Sequence, residues 1–221
     1  MRIGLFGGTF NPIHMGHIQV VLKVVKRFSL DKILFIPSAL PPHKEPGDVV
    51  NVKDRLEMIH RALSGYPGLD ISDVELKRPG PSYTIDTIRH FKGIMDENTA
   101  LYLLLGLDAF LEIDTWKSYS DLFIMVPFIV MMRSCNRQNE AGYGWKSLEE
   151  FLKSRVSMGY HYTALRSCFS HEKKQPVFIF DVTPIDISST DIRRRIKKGK
   201  SIKQMVPDVV DSFIKNKGLY L

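Results

Sequence analysis

Apolar runs and helical periodicities alternate along the first part of the chain. Residues 2–6 and Lys32–Pro37 are almost continuously apolar, which predicts two buried strands. Between them, Met15–Phe28 repeats apolar residues at the spacing of one helical face. Asn51 and Asp54, residue types that cap helices, come before a further apolar series of helical period and predict the start of a second helix.

The alternation continues through the second part of the chain. Three more buried strands are predicted, at Ala100–Gly106, 127–132 and Val177–Val182. A helix is predicted to start within residues 83–91, and residues 134–175 form the least regular segment, in which 147–156 has a helical pattern. Strands that are apolar on both faces and separated by helices are typical of a parallel sheet covered on both sides. The sequence therefore predicts an α/β fold, a Rossmann-like doubly wound parallel sheet with helices on both faces.

Composition limits the size and location of the protein. The chain has 221 residues, which fits one domain over residues 1–221 with a C-terminal helical part at about 186–221. Its longest apolar run, residues 122–132, is shorter than the roughly 20 residues that a membrane-spanning helix needs. The chain starts without a signal-peptide pattern, and Cys135 and Cys168 form neither a disulfide framework nor a metal cluster. We therefore expect a cytoplasmic protein.

The formal net charge of +7 leaves two interpretations open. Mild basicity is typical of a solvated surface that keeps a protein in solution, and it also suits an anionic ligand such as nucleotide phosphates or nucleic acid. The local excess of positive charge is RRRIKKGK at residues 193–200. Charge alone does not choose between these interpretations.

The segment GLFGGTFNPIHMGH, residues 4–17, joins the first predicted strand to the first predicted helix. In a parallel α/β sheet, ligands collect beyond the carboxyl ends of the strands, where this segment lies. Its glycines let backbone N–H groups approach a phosphate closely, and the helix N-terminus adds partial positive charge. The segment lacks the lysine and hydroxyl residue of a Walker A loop and does not fit G-x-G-x-x-G. It therefore predicts a phosphate site of another type.

Two histidines, His14 and His17, end this segment at a spacing that places both on one helical face. Helix capping or packing explains such a pair, and so does metal binding, although no third ligand lies at a telling distance. A third interpretation is that two imidazoles beside a glycine-rich turn donate to a phosphoryl group and stabilise the charge that develops there.

Six motifs follow one another along the chain: GGTFNPIHMGH, PPHK, DRLEMI, SYTIDT, LGLDAFLEIDTWKSY and ISSTDIR. The first resembles the T/HxGH signature of the nucleotidyltransferase superfamily. In order and approximate spacing, the whole set resembles bacterial nicotinate-nucleotide adenylyltransferases over nearly the full chain. T/HxGH alone indicates nucleotidyl transfer, whereas SYTIDT followed by G-x-D and a tryptophan is much more specific.

The resemblance implies an enzyme of NAD biosynthesis. In this family the 5′-phosphate of nicotinate mononucleotide attacks the α-phosphorus of ATP, and deamido-NAD and pyrophosphate leave. The family uses no covalent intermediate and needs Mg²⁺, which comes with ATP, so the protein mainly positions reactants and neutralises charge. A histidine nucleophile is the competing mechanism. The implied partners are ATP and nicotinate mononucleotide, with neither nucleic acid nor a membrane, and a homo-oligomer is compatible with the sequence.

The resemblance also assigns residues to the nucleotide. The implied catalytic residues are His14, His17 and Lys44. The implied ATP-binding residues lie in the first motif, in G-x-D and in ISSTDIR, and they are Gly7, Gly8, Thr9, Phe10, His14, Gly16, His17, Gly106, Asp108, Ile187, Ser188, Ser189, Thr190 and Arg193. Serine and threonine ahead of a helix also serve as caps, so ISSTDIR keeps a purely structural interpretation as well. The basic residues after Arg193 are interpreted as a solvated helix face.

A second group of residues is implied to bind the acceptor: Asn11, Lys44, Tyr83, Thr84, Asp86, Thr87, Trp116 and Arg133. Trp116 matches the residue that stacks on the pyridine ring, although a lone tryptophan is more often part of a core. Lys44 in a proline-rich loop also fits an exposed lysine without a role in the reaction. The chain departs from the family at Asn11, where many relatives have aspartate. It departs again at MMRSCNRQ, which replaces the usual arginine-proline-glycine loop around Arg133.

Three other functions remain open at the level of the sequence. A nicotinamide-mononucleotide adenylyltransferase shares most of the motifs, and only acceptor kinetics separate it. Phosphopantetheine adenylyltransferase shares the fold and T/HxGH, but it is shorter and is expected to lack SYTIDT. A nucleotide- or nucleic-acid-binding regulator that uses the basic C-terminal helix would bind DNA with a steep salt dependence and release no pyrophosphate.

Overall fold

The computed structural model describes residues 1–39, 49–133, 141–182 and 185–221. Within them eight strands form, namely β1 (Arg2–Gly8), β2 (Lys32–Pro37), β3 (Leu69–Ile71), β4 (Ala100–Gly106), β5 (Phe128–Arg133), β6 (His161–Thr163), β7 (Cys168–Ser170) and β8 (Val177–Val182). The same residues form nine α-helices, namely α1 (Met15–Phe28), α2 (Val52–Leu63), α3 (Val74–Lys77), α4 (Thr84–Ile94), α5 (Leu107–Leu111), α6 (Tyr119–Met125), α7 (Ala141–Phe151), α8 (Ser189–Lys197) and α9 (Asp208–Lys217). None of these helices is both long enough and apolar enough to cross a membrane.

The chain divides into two compact units. The first unit consists of residues 1–6 and 83–184, and the second of residues 7–82 and 185–221. Strand β1 therefore begins in the first unit and ends in the second. The interpretation of residues 1–221 as one domain stays a prediction.

The first unit contains a mostly parallel run of strands. β1 pairs with β4, β4 with β5 and β5 with β8, all in parallel, with Leu5 opposite Leu103 and Val130 opposite Ile179. In β4 the consecutive residues Leu103, Leu104 and Leu105 are all buried, as expected for a strand covered on both faces. The predicted α/β fold with a parallel sheet is confirmed for these strands.

One edge of this sheet departs from the parallel pattern. β7 pairs with β8 in antiparallel orientation, and β6 pairs with β7 in the same way. Both strands lie in the segment 134–175, which the sequence pattern left as the least regular part of the chain. Each is three residues long, too short to show a hydrophobic period.

Aromatic residues form the core of the first unit beneath α5 and α6. The Phe110 ring meets the Phe123 and Phe128 rings edge-on at centroid distances of 5.9 and 5.5 Å, and all three side chains are fully buried. Edge-to-face contacts of this kind add to the free energy of burial. The hydroxyl of the buried Tyr160 donates to the Gln175 carbonyl at 2.9 Å. Cys168 is buried with a free thiol, and Cys135 lies outside the described residues.

The second unit surrounds β2 and β3, which pair in parallel with Ile33 opposite Leu69. α1 buries one face through Ile18, Val21 and Val24, in agreement with its predicted amphipathic pattern. α2 begins at the predicted cap, because the Asn51 side chain accepts the Asp54 N–H at 2.9 Å. α9 follows α8 and packs against α2.

Candidate active site

The loop after β1 is shaped by a buried aromatic ring. Phe10 has a φ of 48°, in the left-handed region that glycine prefers, and its side chain is only 3% exposed. A Cβ atom on Gly8 would lie 3.0 Å from Cζ of this ring, so the close packing requires glycine. The Phe10 ring also packs against Phe35 at 5.5 Å. Of the predicted ATP-binding residues here, Gly7 is exposed, Gly8 and Thr9 are partly exposed, and Phe10 has its side chain in the core.

The two histidines lie at the start of α1 and differ in exposure. His14 is the N-cap and is buried, whereas His17 is partly exposed. The His14 N–H donates to Nδ1 of His17 at 3.2 Å, and the two rings stack at 3.6 Å. Because Nδ1 of His17 accepts this hydrogen bond, the neutral ring carries its proton on Nε2. His17 can therefore act as a hydrogen-bond donor to a ligand through Nε2.

Gly16 allows α1 to start close to the ISSTDIR segment. A Cβ atom at this position would lie 3.0 Å from the His14 ring and 3.6 Å from the Ile187 carbonyl oxygen. Gly16, a predicted ATP-binding residue, leaves room for the buried His14 ring, because any side chain at this position would push that ring away.

The ISSTDIR segment caps α8 and also holds the loop that precedes α1. Ser188 is the N-cap, and its hydroxyl accepts the Asp191 N–H at 3.1 Å. The Ser189 hydroxyl donates to the Pro12 carbonyl at 2.9 Å, and Arg193 Nη1 donates to the Asn11 carbonyl at 2.9 Å. The N-termini of α1 and α8 are therefore both fixed to residues 11–12. Ser189, Thr190 and Arg193 lie together in the first turns of α8, and their predicted role in ATP binding stays a prediction.

Charges at the start of α8 are balanced locally. Asp191 pairs with Arg194 and, at 2.8 Å, with Arg195. Hydrogen bonds from Arg195 and Arg194 lower the pKa of Asp191 below its usual range. Arg193 Nη2 donates to Thr190 Oγ1 at 3.3 Å. The carboxylate of Asp191 is thus offset by two cations at a helix N-terminus that favours anions.

A buried cation supports the loop from the other side, and sequence reasoning missed it. Arg55 of α2 is 1% exposed and donates to the Thr9 carbonyl at 2.8 Å and to the Val50 carbonyl at 3.3 Å. Burial lowers the pKa of its guanidinium. Asn11, predicted to bind the acceptor, is also buried, and its Oδ1 accepts the Val50 N–H at 3.3 Å and the Tyr220 hydroxyl at 2.9 Å. The sequence signal that could have identified Arg55 is an arginine within an apolar series of helical period, in the motif DRLEMI.

The G-x-D motif lies in the first unit, where β4 ends and α5 begins. Asp108 is exposed, and its Oδ1 lies 2.5 Å from where a Cβ atom on Gly106 would be. Glycine at position 106 therefore makes room for this carboxylate, which lies at the carboxyl end of a parallel strand, where ligands collect.

Four of the predicted acceptor residues lie at the start of α4, namely Tyr83, Thr84, Asp86 and Thr87. Tyr83 is the N-cap, and the buried Thr87 donates through its hydroxyl to the Tyr83 carbonyl at 3.4 Å. Lys117, which was not predicted, lies with Nζ 3.1 Å from Asp86 Oδ2 and 4.6 Å from the centre of the Tyr83 ring. The sequence signal that could have identified Lys117 is its position directly after Trp116, in the same motif.

The two tryptophans have different surroundings. Trp145 packs against the Tyr162 and Phe169 rings at centroid distances of 4.6 and 5.1 Å, and its side chain is also partly exposed. Trp116 is partly exposed and follows the short 3₁₀ helix Ile113–Thr115. Its position is that of an aromatic ring accessible to a ligand.

Two predicted residues, Lys44 and Arg133, have no described side chain. Lys44 lies outside the described residues, and Arg133 is the last residue of β5, opposite Val182, without a described side chain. In the described part of the chain, no group of three or more His, Cys, Asp or Glu side chains is arranged to hold a metal ion.

Comparisons with known proteins agree over the whole chain. A cytidylyltransferase-like family model matches residues 5–195. The chain is 39% identical to a protein of Desulfatibacillum aliphaticivorans named "Probable nicotinate-nucleotide adenylyltransferase", with all of both chains covered. It is 37% identical to a protein of the same name from Thermoanaerobacter sp., covering 100% of this chain and 94% of that one.

Solved structures support the fold. The chain superposes on nicotinic acid mononucleotide adenylyltransferase of Plasmodium falciparum, in a complex with NaAD, with a TM-score of 0.72 and 18% identity. The match covers 99% of this chain and 97% of that one. A second structure of the Plasmodium falciparum protein, complexed with APC, gives a TM-score of 0.70 at 18% identity, with 99% of this chain and 96% of that one covered.

Proposed function

The chain belongs to the cytidylyltransferase-like family and, within it, to the nicotinate-nucleotide adenylyltransferases, and from this premise we propose that it adenylylates nicotinate mononucleotide. An oxygen of the mononucleotide 5′-phosphate attacks the α-phosphorus of ATP. The bond from that phosphorus to the β-phosphate oxygen breaks, and pyrophosphate leaves. The products are deamido-NAD and pyrophosphate.

One observation carries the assignment of the triphosphate site: the N-termini of α1 and α8 are held to the same two loop residues. α1 follows the loop directly, and Ser189 and Arg193 of α8 donate to the carbonyls of Pro12 and Asn11. The first-turn N–H groups of a helix lack helical partners and favour anions. Two such termini and Arg193 supply donors and positive charge suited to the ATP tail.

The geometry of His17 supports charge stabilisation rather than covalent catalysis. Its Nδ1 accepts the His14 N–H, so in the neutral ring Nε2 bears the proton. A nitrogen that bears a proton has no lone pair with which to attack phosphorus, whereas its N–H can donate to a phosphoryl oxygen. Donors of this kind stabilise the transition state when charge develops on the group that they face. His14, which is buried, acts in the proposal by orienting His17.

The start of α4 and the partly exposed Trp116 suit the acceptor. We assign the pyridine ring to Trp116 and the nicotinate carboxylate to backbone N–H groups at Tyr83 and Thr84. α4 has 11 residues, and its first-turn N–H groups favour a carboxylate, which only accepts hydrogen bonds. Lys117 adds positive charge beside Tyr83 and Asp86. Gly106 and Asp108 are assigned to the ribose and adenine region of ATP, and the roles of Lys44 and Arg133 stay predictions.

Mg²⁺ enters the proposal as part of the substrate. This ion keeps several waters and binds through one or two carboxylates together with substrate phosphates. On the triphosphate of ATP it neutralises charge on the leaving pyrophosphate, while the protein positions the attacking and leaving groups.

The proposal is tested by incubating the protein with ATP, Mg²⁺ and one acceptor at a time, with pyrophosphate release as the readout. Nicotinate mononucleotide is expected to give the fastest release, and removal of Mg²⁺ with EDTA is expected to stop it. Fastest release with phosphopantetheine would move the chain to another adenylyltransferase activity. No pyrophosphate release with any of the acceptors, together with strong salt-dependent DNA binding, would contradict the proposal.

A further inference from the structure

A tyrosine from the segment after α9 reaches the loop that precedes α1. The Tyr220 hydroxyl donates to Asn11 Oδ1 at 2.9 Å, across 209 positions of sequence. The segment turns back because Gly218 and Tyr220 have φ angles of 61° and 67°, both in the left-handed region. Such a conformation costs a tyrosine free energy, so it persists only where the surrounding contacts stabilise it.

Asn11 connects three parts of the second unit. Its side-chain Oδ1 accepts from Tyr220 and from the Val50 N–H, and its backbone carbonyl accepts from Arg193 Nη1. It is 2% exposed, so loss of a donor would leave a buried acceptor poorly satisfied, which is costly. The position of residues 11–12 therefore depends on contacts from α8 and from the segment after α9.

The surroundings keep the Tyr220 hydroxyl protonated. Burial raises the pKa of Tyr220 well above its usual value, although the charges of Arg193 and Arg55 lower it in part. The hydroxyl is consequently a neutral donor throughout the physiological pH range, and Asn11 Oδ1 is a permanent acceptor.

We propose that Tyr220 is a positioning residue for adenylyl transfer, acting through Asn11 on the loop that binds the ATP phosphates. This inference rests on the proposed function. The same loop is held by Arg55 at Thr9, by Ser189 at Pro12 and by Arg193 at Asn11. Tyr220 donates the shorter of two hydrogen bonds to the Asn11 side chain, and the Val50 N–H donates the other. Without it the loop has more freedom, and the donors of the triphosphate site are less well aligned.

The test compares Tyr220→Phe with the wild type, using dinucleotide formation at varied ATP and then at varied nicotinate mononucleotide. Phe keeps the ring and removes only the hydroxyl. One neutral hydrogen bond corresponds to a change of about three- to tenfold, which we expect as a fall in kcat/KM for ATP. The KM for nicotinate mononucleotide is expected to change little, and the thermal unfolding midpoint is expected to fall by about a few degrees, as the loss of one buried hydrogen bond predicts.

Tyr160→Phe is the matched control. Tyr160 is also buried, and its hydroxyl also donates at 2.9 Å, but its acceptor is the Gln175 carbonyl in the first unit. A merely structural role for Tyr220 would make both variants alike, with a lower unfolding midpoint and unchanged kcat/KM for ATP per folded molecule. That outcome would overturn the proposal.

A double-mutant cycle with Asn11 identifies the route of the effect. In an Asn11→Ala background, Tyr220→Phe is expected to cause no further loss, because the acceptor is already gone. In an Asn11→Asp background, which keeps an acceptor oxygen, the effect of Tyr220→Phe is expected to return. Equal losses in all three backgrounds would refute action through Asn11. A wild type that forms no dinucleotide would instead refute the proposed function.

Discussion

At the scale of single residues, the proposed site combines groups assigned to the ligand with groups that hold those groups in place. His17 shows both: its Nδ1 accepts the His14 N–H at 3.2 Å, and this contact fixes the nitrogen that can donate to a phosphate. Phe10 and Gly8 are matched in the same way, since the ring occupies the space that a side chain at position 8 would need. Mutations of these residues are consequently expected to change either the reaction rate or the stability of the loop, and kinetics and thermal unfolding distinguish the two.

His17→Ala is expected to lower kcat by about a hundredfold or more, because a preorganised donor to the developing charge is lost. The fold is expected to survive, since His17 is partly exposed while Ile18, Val21 and Val24 hold α1 in the core. Steady-state kinetics together with the thermal unfolding midpoint check both statements.

His60→Ala serves as the matched control, because His60 is an exposed histidine on α2 of the same unit. It is expected to behave like the wild type. Normal turnover of His17→Ala would remove His17 from the catalytic residues, and lost activity accompanied by a collapsed unfolding transition would assign it a structural role.

Trp116→Ala is expected to weaken acceptor binding and to leave ATP binding nearly intact. Stacking of an aromatic side chain on a base contributes roughly 1–3 kcal/mol, so KM for nicotinate mononucleotide should rise by about one to two orders of magnitude. Trp116→Phe keeps a ring and should recover part of the affinity. Equal damage to ATP and acceptor affinity would instead make Trp116 a core residue.

At the scale of elements, the proposed chemistry relies on helix N-termini: α1 and α8 for the triphosphate and α4 for the nicotinate carboxylate. α8 begins with the Ser188 cap, whose hydroxyl accepts the Asp191 N–H, whereas the N-caps of α1 and α4 are His14 and Tyr83. Negative charge at such a terminus stabilises the helix but competes with an anionic ligand. α8 resolves this conflict by pairing Asp191 with Arg194 and Arg195.

Titration of Asp191 by carboxyl carbon NMR is expected to give a midpoint below the usual aspartate value. Hydrogen bonds from Arg195 and Arg194 lower the pKa of this carboxylate. Since the pKa is lower in the folded state, the contribution to stability is present above the unfolded value of about 3.9 and is lost as pH falls through the folded value. Replacement of Arg195 by Gln should move the midpoint up, and an unchanged midpoint would show that the pairing does not form.

At the scale of the whole molecule, the sequence pattern predicts the long elements well. The predicted bounds agree with the observed elements at Met15–Phe28, Lys32–Pro37, Ala100–Gly106 and Val177–Val182. The helix shows a clear helical period, and the three strands are nearly continuous apolar runs of six or seven residues. The three-residue strands β6 and β7 carry too few residues to show one. The hydrophobic pattern therefore predicts the long parallel strands and misses the three-residue strands, which are the parallel β3 and the antiparallel β6 and β7.

The residues of the candidate site show the same difference between local and long-range signals. The cap of α8 at Ser188 follows from the local motif ISSTDIR, because caps act over a few positions, whereas the assignment of these residues to ATP stays a prediction. Arg55 and Tyr220 were missed, since they contact the loop across 46 and 209 positions and a single sequence gives no pairing information over such distances. Asn11 was assigned to the acceptor, while the structure shows its Oδ1 bound to Val50 and Tyr220.

The most direct test of the central claim is a competition between two acceptors in one reaction. Equimolar, subsaturating nicotinate and nicotinamide mononucleotides are mixed with ATP, Mg²⁺ and the protein, and early products are quantified by mass spectrometry. A charge-assisted hydrogen bond to the carboxylate contributes about 1.5–3 kcal/mol. The carboxamide loses this bond, and its NH₂ group, a donor, would also face backbone N–H donors. The account predicts a roughly ten- to several-hundredfold excess of deamido-NAD over NAD. Equal amounts, or more NAD, would contradict it.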